Sequence, residues 1–222
     1  NINYNKSNWE INILSKRIIA WISNSKLTYE DGNEFYKNKF NLIIQKQINH
    51  LINEIEKSKL VDVKMVSCAA IILTGLSLNE KEKYLDFGLS ILKKIIDFSF
   101  DNQGFPKSRS IRQLIFYLKY FVLIRAWLKE SQSEIPEYLD EIIFYLGKSY
   151  SILCQGMSKT ILFNGNQETD SKDFDGYLNN HGYKFKSNSF ETGGYIFLKN
   201  KKINLIMDIG SSPEKKFSKN YQ

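Results

Sequence analysis

The sequence predicts a mainly helical domain that continues into β-strands near its C-terminal end. Apolar residues recur every three or four positions through the first two-thirds of the chain, which is the spacing of an amphipathic helix. After about Ser158, apolar and polar residues alternate instead, as is typical of strands. Hydrophobic residues make up 42% of the chain and aromatic residues 14%, so a packed core can form and extensive disorder is not expected.

Six segments show the helical spacing, and the joins between them are short. The third segment is apolar nearly all round, which predicts an inner helix buried on more than one side. Asn79 is predicted to cap the fourth helix. Short joins favour antiparallel hairpins, and the mixture of amphipathic and nearly all-apolar helices favours layered α/α packing over a simple bundle. The predicted helices are Trp9–Ile22, Tyr29–Glu56, Val61–Leu78, Glu80–Phe98, Ser110–Glu130 and Pro136–Cys154.

The C-terminal part of the sequence predicts an antiparallel β meander. Turns are predicted at Gly193-Gly194 and at Lys199–Lys202, and the polar, acidic stretch Gln167–Asp175 predicts an exposed loop. The change of pattern predicts a helical domain over residues 1–157 and the start of a β domain over residues 158–222. The predicted strands are Tyr183–Lys186, Gly194–Leu198 and Ile203–Ile209.

Several classes of site are not predicted by the sequence. The two histidines, His50 and His181, are far apart, and Cys68 and Cys154 lie in apolar helical sequence without metal-ligand spacing, so we expect buried thiols and no metal. There is no phosphate-binding glycine loop and no serine-hydrolase motif, and no cofactor is predicted. No apolar run is long enough for a membrane span.

The chain is basic, with 31 lysines and arginines against 24 acidic residues and a net charge of +7. The charge is spread along the chain without a concentrated stripe or a recognised motif, so a nucleic-acid partner is not predicted. The sequence begins at Asn1 without a methionine and ends directly after strand-like residues, so we expect an internal piece of a longer protein. The oligomeric state is left open.

One basic cluster, formed by Lys107, Arg109 and Arg112, is a candidate anion site. Arginine forks match carboxylates and sulfates, but cations at a helix N-terminus oppose the helix dipole, and Ser108 or Ser110 is expected to cap the helix and offset part of that cost. A solvated or structural role for the cluster remains the alternative.

Aromatic side chains follow the basic cluster on the same predicted helix. Tyr117 and Tyr120 are three positions apart, so their hydroxyls can point together into a cleft and serve as catalytic groups. The alternative is that this aromatic face belongs to the core.

Several segments, taken in order, resemble the heparinase II/III-like family. They are Trp9–Trp21, with its Arg-Ile-x-x-Trp ending, Ala70–Leu76, Gly104–Ser110, Leu162–Gly165 and Gly194–Gly210. The resemblance implies an (α/α) toroid of helical hairpins followed by the first strands of an antiparallel β-sandwich. It also implies a polysaccharide lyase that acts on uronic-acid polymers by β-elimination, without a cofactor, in the periplasm or at the surface of a bacterium.

β-Elimination requires a group that neutralises the uronate carboxylate, a base and a proton donor. The family supplies them with Asn or His and with Tyr and His. In this sequence Arg109 matches the arginine of the family loop, whereas Pro106 and Gln113 stand where the family has a histidine and a tyrosine. Two functions therefore stay open: a lyase-like protein that cleaves or binds an acidic uronate-containing glycan, and a non-catalytic carbohydrate-binding or assembly module on the same scaffold.

Overall fold

The computed structural model describes residues 8–78, 81–155, 163–164, 171–199 and 204–218. Its described part is mostly helical and ends in a small antiparallel sheet, which confirms the predicted order of helices followed by strands. The elements are α1 Ile11–Ser23, a π-helical turn Lys26–Glu30, α2 Glu34–Ile55, α3 Val61–Ser77, α4 Lys81–Ser99, α5 Ile111–Glu130, α6 Glu137–Leu153, α7 Ser171–Asn180, β1 Glu191–Thr192, β2 Tyr195–Lys199, β3 Asn204–Asp208 and α8 Lys215–Ser218.

The six predicted helices are confirmed, with one substantial difference at the start of α2. The prediction began that helix at Tyr29, but α2 begins at Glu34 because the side chain of Asn33 accepts a hydrogen bond from the backbone N–H of Tyr36 (2.9 Å) and caps it there. Residues 26–30 form a separate π-helical turn before the cap. Asn79, the predicted cap of α4, lies outside the described residues.

Two predictions for the C-terminal part are wrong. Residues 171–175 of the predicted loop Gln167–Asp175 begin α7, because Phe174 and Leu178 recur at helical spacing and Leu178 is buried; residues 165–170 lie outside the described part. The predicted strand at Tyr183–Lys186 does not pair in a sheet. Instead, the ring of Phe185 packs on α6 over Gly147, where any Cβ atom would lie 2.1 Å from it.

The backbone divides into two compact units, and α3 is central to the first, which comprises residues 1–95 and 127–133. Residues 65–75 of α3 are all buried, and α3 contacts both α1 and α2, which confirms the predicted inner helix. Gly75 of α3 allows a close approach of α4, since a Cβ atom there would lie 2.7 Å from the backbone nitrogen of Leu85. The predicted boundary between residues 157 and 158 lies outside the described residues and stays a prediction.

The second unit, residues 96–126 and 134–222, carries the sheet, in which β2 pairs antiparallel with β1 and with β3. Thr192 pairs with Tyr195 across Gly193-Gly194, whose φ angles of 55° and 78° are left-handed, so the predicted glycine turn is confirmed. The predicted turn at Lys199–Lys202 falls mainly on residues outside the described part, although Lys199 pairs with Asn204.

The cysteines are buried free thiols, as predicted. Burial raises the pKa of the Cys154 thiol to about 12 and also raises that of Cys68, so neither is a thiolate at neutral pH. Among the described helices, none combines the length and the apolar character that crossing a bilayer requires.

Gly75→Ala is expected to destabilise the first unit by about 1–3 kcal/mol, because the α4 backbone cannot move aside as a side chain would. Gly176→Ala in α7 is the matched control, since nothing lies within 4 Å of its Cβ position; it should be neutral or stabilising by up to about 1 kcal/mol. Urea unfolding followed by circular dichroism measures both. Equal effects of the two substitutions would contradict the close packing of α3 on α4.

Candidate functional site

The loop between α4 and α5 is closed by Asp101. Its Oδ1 accepts hydrogen bonds from the backbone N–H groups of Gln103 and Phe105 (both 2.9 Å), while its own N–H donates to the Phe105 carbonyl. Gly104 has a φ of 71°, and a Cβ atom there would lie 2.5 Å from Tyr145. The loop is therefore compact, and it sets the direction in which the basic segment Lys107–Arg112 leaves it.

Lys107 is directed at the end of the preceding helix. Its Nζ donates to the carbonyl oxygens of Asp97 and Phe98 (both 3.1 Å), in the last turn of α4. A cation at this end complements the helix dipole. The unfavourable placement expected at the start of α5 is thus relieved for this lysine, because its charge stabilises the C-terminus of another helix.

Arg109 is held by the β segment. Its guanidinium donates to the carbonyl oxygens of Gly193 (3.1 Å), Gly194 (3.2 Å) and Ser211 (3.0 Å), and it forms an ion pair with Asp208. The two charged side chains are 12% and 25% exposed, so water screens the pair less than a surface pair. Arg109 adopts a φ of 57°, a left-handed conformation that side chains rarely take.

Tyr195 and Asn164 complete the network around this arginine. The buried Tyr195 ring lies 4.8 Å from the guanidinium carbon, and its hydroxyl donates to the Arg109 carbonyl (2.7 Å). The Asn164 amide bonds both the Tyr195 hydroxyl and Oδ2 of Asp208 (3.1 Å). A Cβ atom at Gly210 would lie 2.5 Å from Arg109 Nη2, so glycine is required for this approach.

The start of α5 is capped by Ser110, one of the two serines predicted as caps. Ser110 Oγ accepts from the Gln113 N–H (3.4 Å), and Ser108 Oγ donates to the Gln113 side-chain oxygen (2.5 Å). Arg112, in the first turn, is exposed, and among the described residues its side chain has no hydrogen bond or ion pair. Of the three predicted cations, Arg112 is therefore the one whose charge faces solvent.

The two predicted catalytic tyrosines differ in their surroundings. Tyr117 is 1% exposed and packs against Phe100 and Phe121 (centroids at 4.9 and 5.9 Å). Tyr120 is half-buried beside Phe116, and burial raises the pKa of its hydroxyl. Tyr120 therefore stays protonated at neutral pH and is chemically a proton donor rather than a base.

A cavity of about 380 Å³ lies between the α4–α5 loop and the β2–β3 hairpin, which we call the hairpin. Its wall includes Lys107, Arg109, Gly194, Ser211 and Phe217. The structure thus brings together two of the five predicted residues. Tyr117, Tyr120 and Arg112 are not part of the wall as far as the described residues define it. Their predicted roles, like that of Arg109 as a direct substrate ligand, stay predictions. No cluster of three metal-ligating side chains occurs in the described part of the chain.

No protein-family model matches the sequence, and no curated protein sequence matches it. Among solved structures, the crystal structure of heparinase III has a similar fold, with a TM-score of 0.70 and 14% sequence identity. The similarity covers 96% of this chain and 40% of the heparinase III chain, so this chain spans less than half the length of that protein. At this identity the likeness shows a heparinase-like fold.

Sequence reasoning found Arg109 but missed its partners. Asp208 lies 99 positions after Arg109 in the chain, and Asn164 lies 55 positions after Arg109 and 44 before Asp208. No local sequence pattern links either residue to the arginine. The sequence signal for this contact is the group of glycines in the strand region, Gly193, Gly194 and Gly210. Glycines in strands often mark a close approach of another group, and here the absence of a Cβ atom at Gly194 and Gly210 allows the Arg109 guanidinium to approach the backbone.

Arg109→Lys is expected to loosen the hairpin by about 2 kcal/mol, because an ammonium group cannot reach three carbonyls and a carboxylate at once. In hydrogen–deuterium exchange, amides of residues 191–199 and 204–211 should exchange about 30-fold faster. Arg112→Lys, on the exposed neighbour, is the control and should leave exchange unchanged. Unchanged protection in Arg109→Lys would exclude the network as the support of the hairpin.

The contribution of Asp208 to stability should depend on pH. Burial opposes ionisation of this carboxyl, but the hydrogen bonds from Arg109 and Asn164 and the arginine charge outweigh it and hold its pKa below the usual value. A lowered pKa in the folded state stabilises above the unfolded value of about 3.9 and ceases to do so as the pH falls through the folded value. The difference in urea midpoint between the wild type and Asp208→Asn should be full at pH 7 and shrink below about pH 4. A difference that grows in acid would refute this.

Proposed function

We infer that this chain is part of a polysaccharide lyase-like protein that acts on or binds an acidic, uronate-containing glycan. The observation that carries the proposal is the heparinase-like fold combined with a basic segment, Lys107–Arg112, beside a cavity. Heparinase III is named for action on heparin, an acidic polysaccharide, and the net charge of +7 favours a polyanionic ligand over a neutral one at the basic segment.

In this proposal, Arg112 binds glycan carboxylates at the surface, and Lys107 contributes its charge at the wall of the cavity. Arg109 acts as a positioning residue, because four of its hydrogen bonds already go to protein acceptors. This assignment differs from the direct contact between Arg109 and a glycan carboxylate that the sequence predicts. Binding of the glycan then falls to Lys107 and Arg112.

Cleavage would proceed by β-elimination. A base removes the proton α to the carboxylate, the C–H electron pair forms a C4–C5 double bond, and the C4–O bond breaks as the leaving oxygen takes a proton. Tyr120 is proposed as the proton donor, since a tyrosine hydroxyl is protonated at neutral pH and Tyr120 is the less buried of the two tyrosines. Tyr117 is the weaker candidate, because its ring is enclosed by Phe100 and Phe121.

A second candidate function, a non-catalytic carbohydrate-binding or assembly module, is favoured by the same details. Pro106 and Gln113 replace the family's histidine and tyrosine, and Gln113 is engaged in capping α5. A module of this kind keeps the basic surface without the proton-transfer groups. The two candidates differ in whether an unsaturated product forms.

The protein should be incubated with heparin, heparan sulfate, chondroitin sulfate, alginate and polygalacturonate, while the ultraviolet absorbance of the unsaturated product is followed. We expect product from at least one polymer for a lyase, and saturable binding without product for a module. Arg112→Ala should weaken binding about 3- to 10-fold and reduce its dependence on salt, because one solvent-facing cation is lost.

Lys129→Ala is the matched control, since it removes the same charge about 26 Å away along α5. If it weakens binding as much as Arg112→Ala does, only the overall charge matters and the proposed site is wrong. A panel that yields neither product nor binding would reject both candidate functions.

A further inference from the structure

A second cavity, of about 590 Å³, lies within the first compact unit, away from the basic segment in sequence. It is bounded by the end of α1, the π-helical turn and α2, and we call it the α1–α2 cavity. Its wall contains Trp21, Tyr29, Phe40 and Tyr84 together with Glu30, Asn41 and Gln45. A cavity of this size, with aromatic walls and a few polar groups, has the composition of a small-molecule site.

The π-helical turn Lys26–Glu30 forms one side of the cavity. π-Helical turns are rare and occur frequently at functional sites. This one is fixed by hydrogen bonds: Thr28 Oγ1 donates to the Trp21 carbonyl (2.6 Å), and the Tyr36 hydroxyl donates to the Thr28 carbonyl (2.7 Å). The turn therefore holds Tyr29 and Glu30 at the wall as fixed elements.

The aromatic side chains provide flat apolar surface. The half-buried Trp21 and Tyr29 rings pack against Phe40 with centroids at 5.8 and 5.4 Å. Tyr84 is 2% exposed, bonds Asn49 through its hydroxyl (3.2 Å) and contributes little ring surface. An aromatic face carries partial negative charge and attracts the polarised C–H groups on one face of a pyranose ring. A sugar ring can therefore lie flat against this wall.

The polar side chains provide partners for hydroxyl groups. Asn41 and Gln45 are one helical turn apart on α2 and so share a face, and the Asn41 amide donates to the Tyr29 hydroxyl (3.3 Å). Glu30 accepts from Ser25 Oγ (2.8 Å) through one carboxylate oxygen. Amide and carboxylate groups both bind vicinal hydroxyls, which combine donors and acceptors.

The charge of the wall decides the class of ligand. Among the described residues that form it, Glu30 is the charged side chain, and lysine and arginine do not occur. An anionic sugar is disfavoured by that carboxylate. A cationic ligand is disfavoured because Arg17 and Lys37 already lie over the Trp21 and Tyr29 rings, at 5.7 and 5.4 Å. Charges of both signs therefore lie at this cavity, and a neutral ligand is favoured over an ion of either sign.

We propose that the α1–α2 cavity binds a neutral saccharide of one or two sugar units. The proposal does not rest on the proposed function, because the cavity belongs to the other compact unit and favours ligands without the carboxylates that the basic segment would bind. A protein with both sites binds a neutral sugar independently of any acidic glycan.

The test is isothermal titration calorimetry of the whole protein, with tryptophan fluorescence as a second readout because Trp21 lies in the wall. The probes are glucose, xylose, N-acetylglucosamine, cellobiose and maltose, with glucuronate and choline as charged comparisons. We expect saturable binding of at least one neutral probe with a dissociation constant of about 1 mM or lower. Glucuronate and choline should bind at least about tenfold more weakly.

Asn41→Leu should weaken that binding about tenfold, since one polar partner of the sugar is lost. Asn38→Leu, an exposed position on the same helix outside the wall, is the matched control and should bind as the wild type does. Circular dichroism checks folding, and Gln45→Leu serves the same test if Asn41→Leu does not fold. The proposal is overturned by no saturable response to any of the five neutral probes, by tighter binding of glucuronate or choline, or by equal losses in wall and control variants.

Discussion

The largely buried guanidinium of Arg109 supplies most of the hydrogen bonds that attach the sheet to the helical part of the second unit, and a Ser149–Thr192 hydrogen bond (2.7 Å) joins β1 to α6. The sheet has three short strands, and β1 has two residues, so its own ladder provides little stability. The Arg109 guanidinium bonds carbonyls that precede β2 (Gly193 and Gly194) and follow β3 (Ser211), at the open end of the β2–β3 hairpin, and it pairs with the carboxylate of Asp208. Because the arginine leaves a loop that Asp101 keeps closed, the hairpin is fixed to the loop rather than merely packed near it.

This interaction also separates the three cations of the basic segment. Lys107 stabilises the carbonyl end of α4, Arg109 is enclosed by the hairpin, and Arg112 faces solvent. A charge that is already bonded within the protein gains little by binding a ligand, since the internal bonds must first be broken. In the proposed function, binding of a polyanion by this segment therefore rests mainly on Arg112.

The two cavities differ in chemistry and belong to different compact units. The wall near Arg109 contains the cations Lys107 and Arg109, the carboxylates Asp101 and Glu214, and backbone groups of the glycine turn. The α1–α2 cavity contains aromatic rings, two amides and one carboxylate. The two proposals, an acidic glycan at the basic segment and a neutral sugar at the α1–α2 cavity, therefore concern separate groups of side chains.

The sequence by itself determined the helices, the inner position of α3, the turn at Gly193-Gly194 and the order of helices before strands. These features follow from apolar periodicity and from glycine's freedom to adopt left-handed angles, which are local properties. Only the tertiary structure decided that Arg109 is bonded to Asp208 and that Phe185 packs on α6 instead of pairing in a sheet. Such contacts join residues far apart in the chain, so their energies depend on packing that no local pattern encodes.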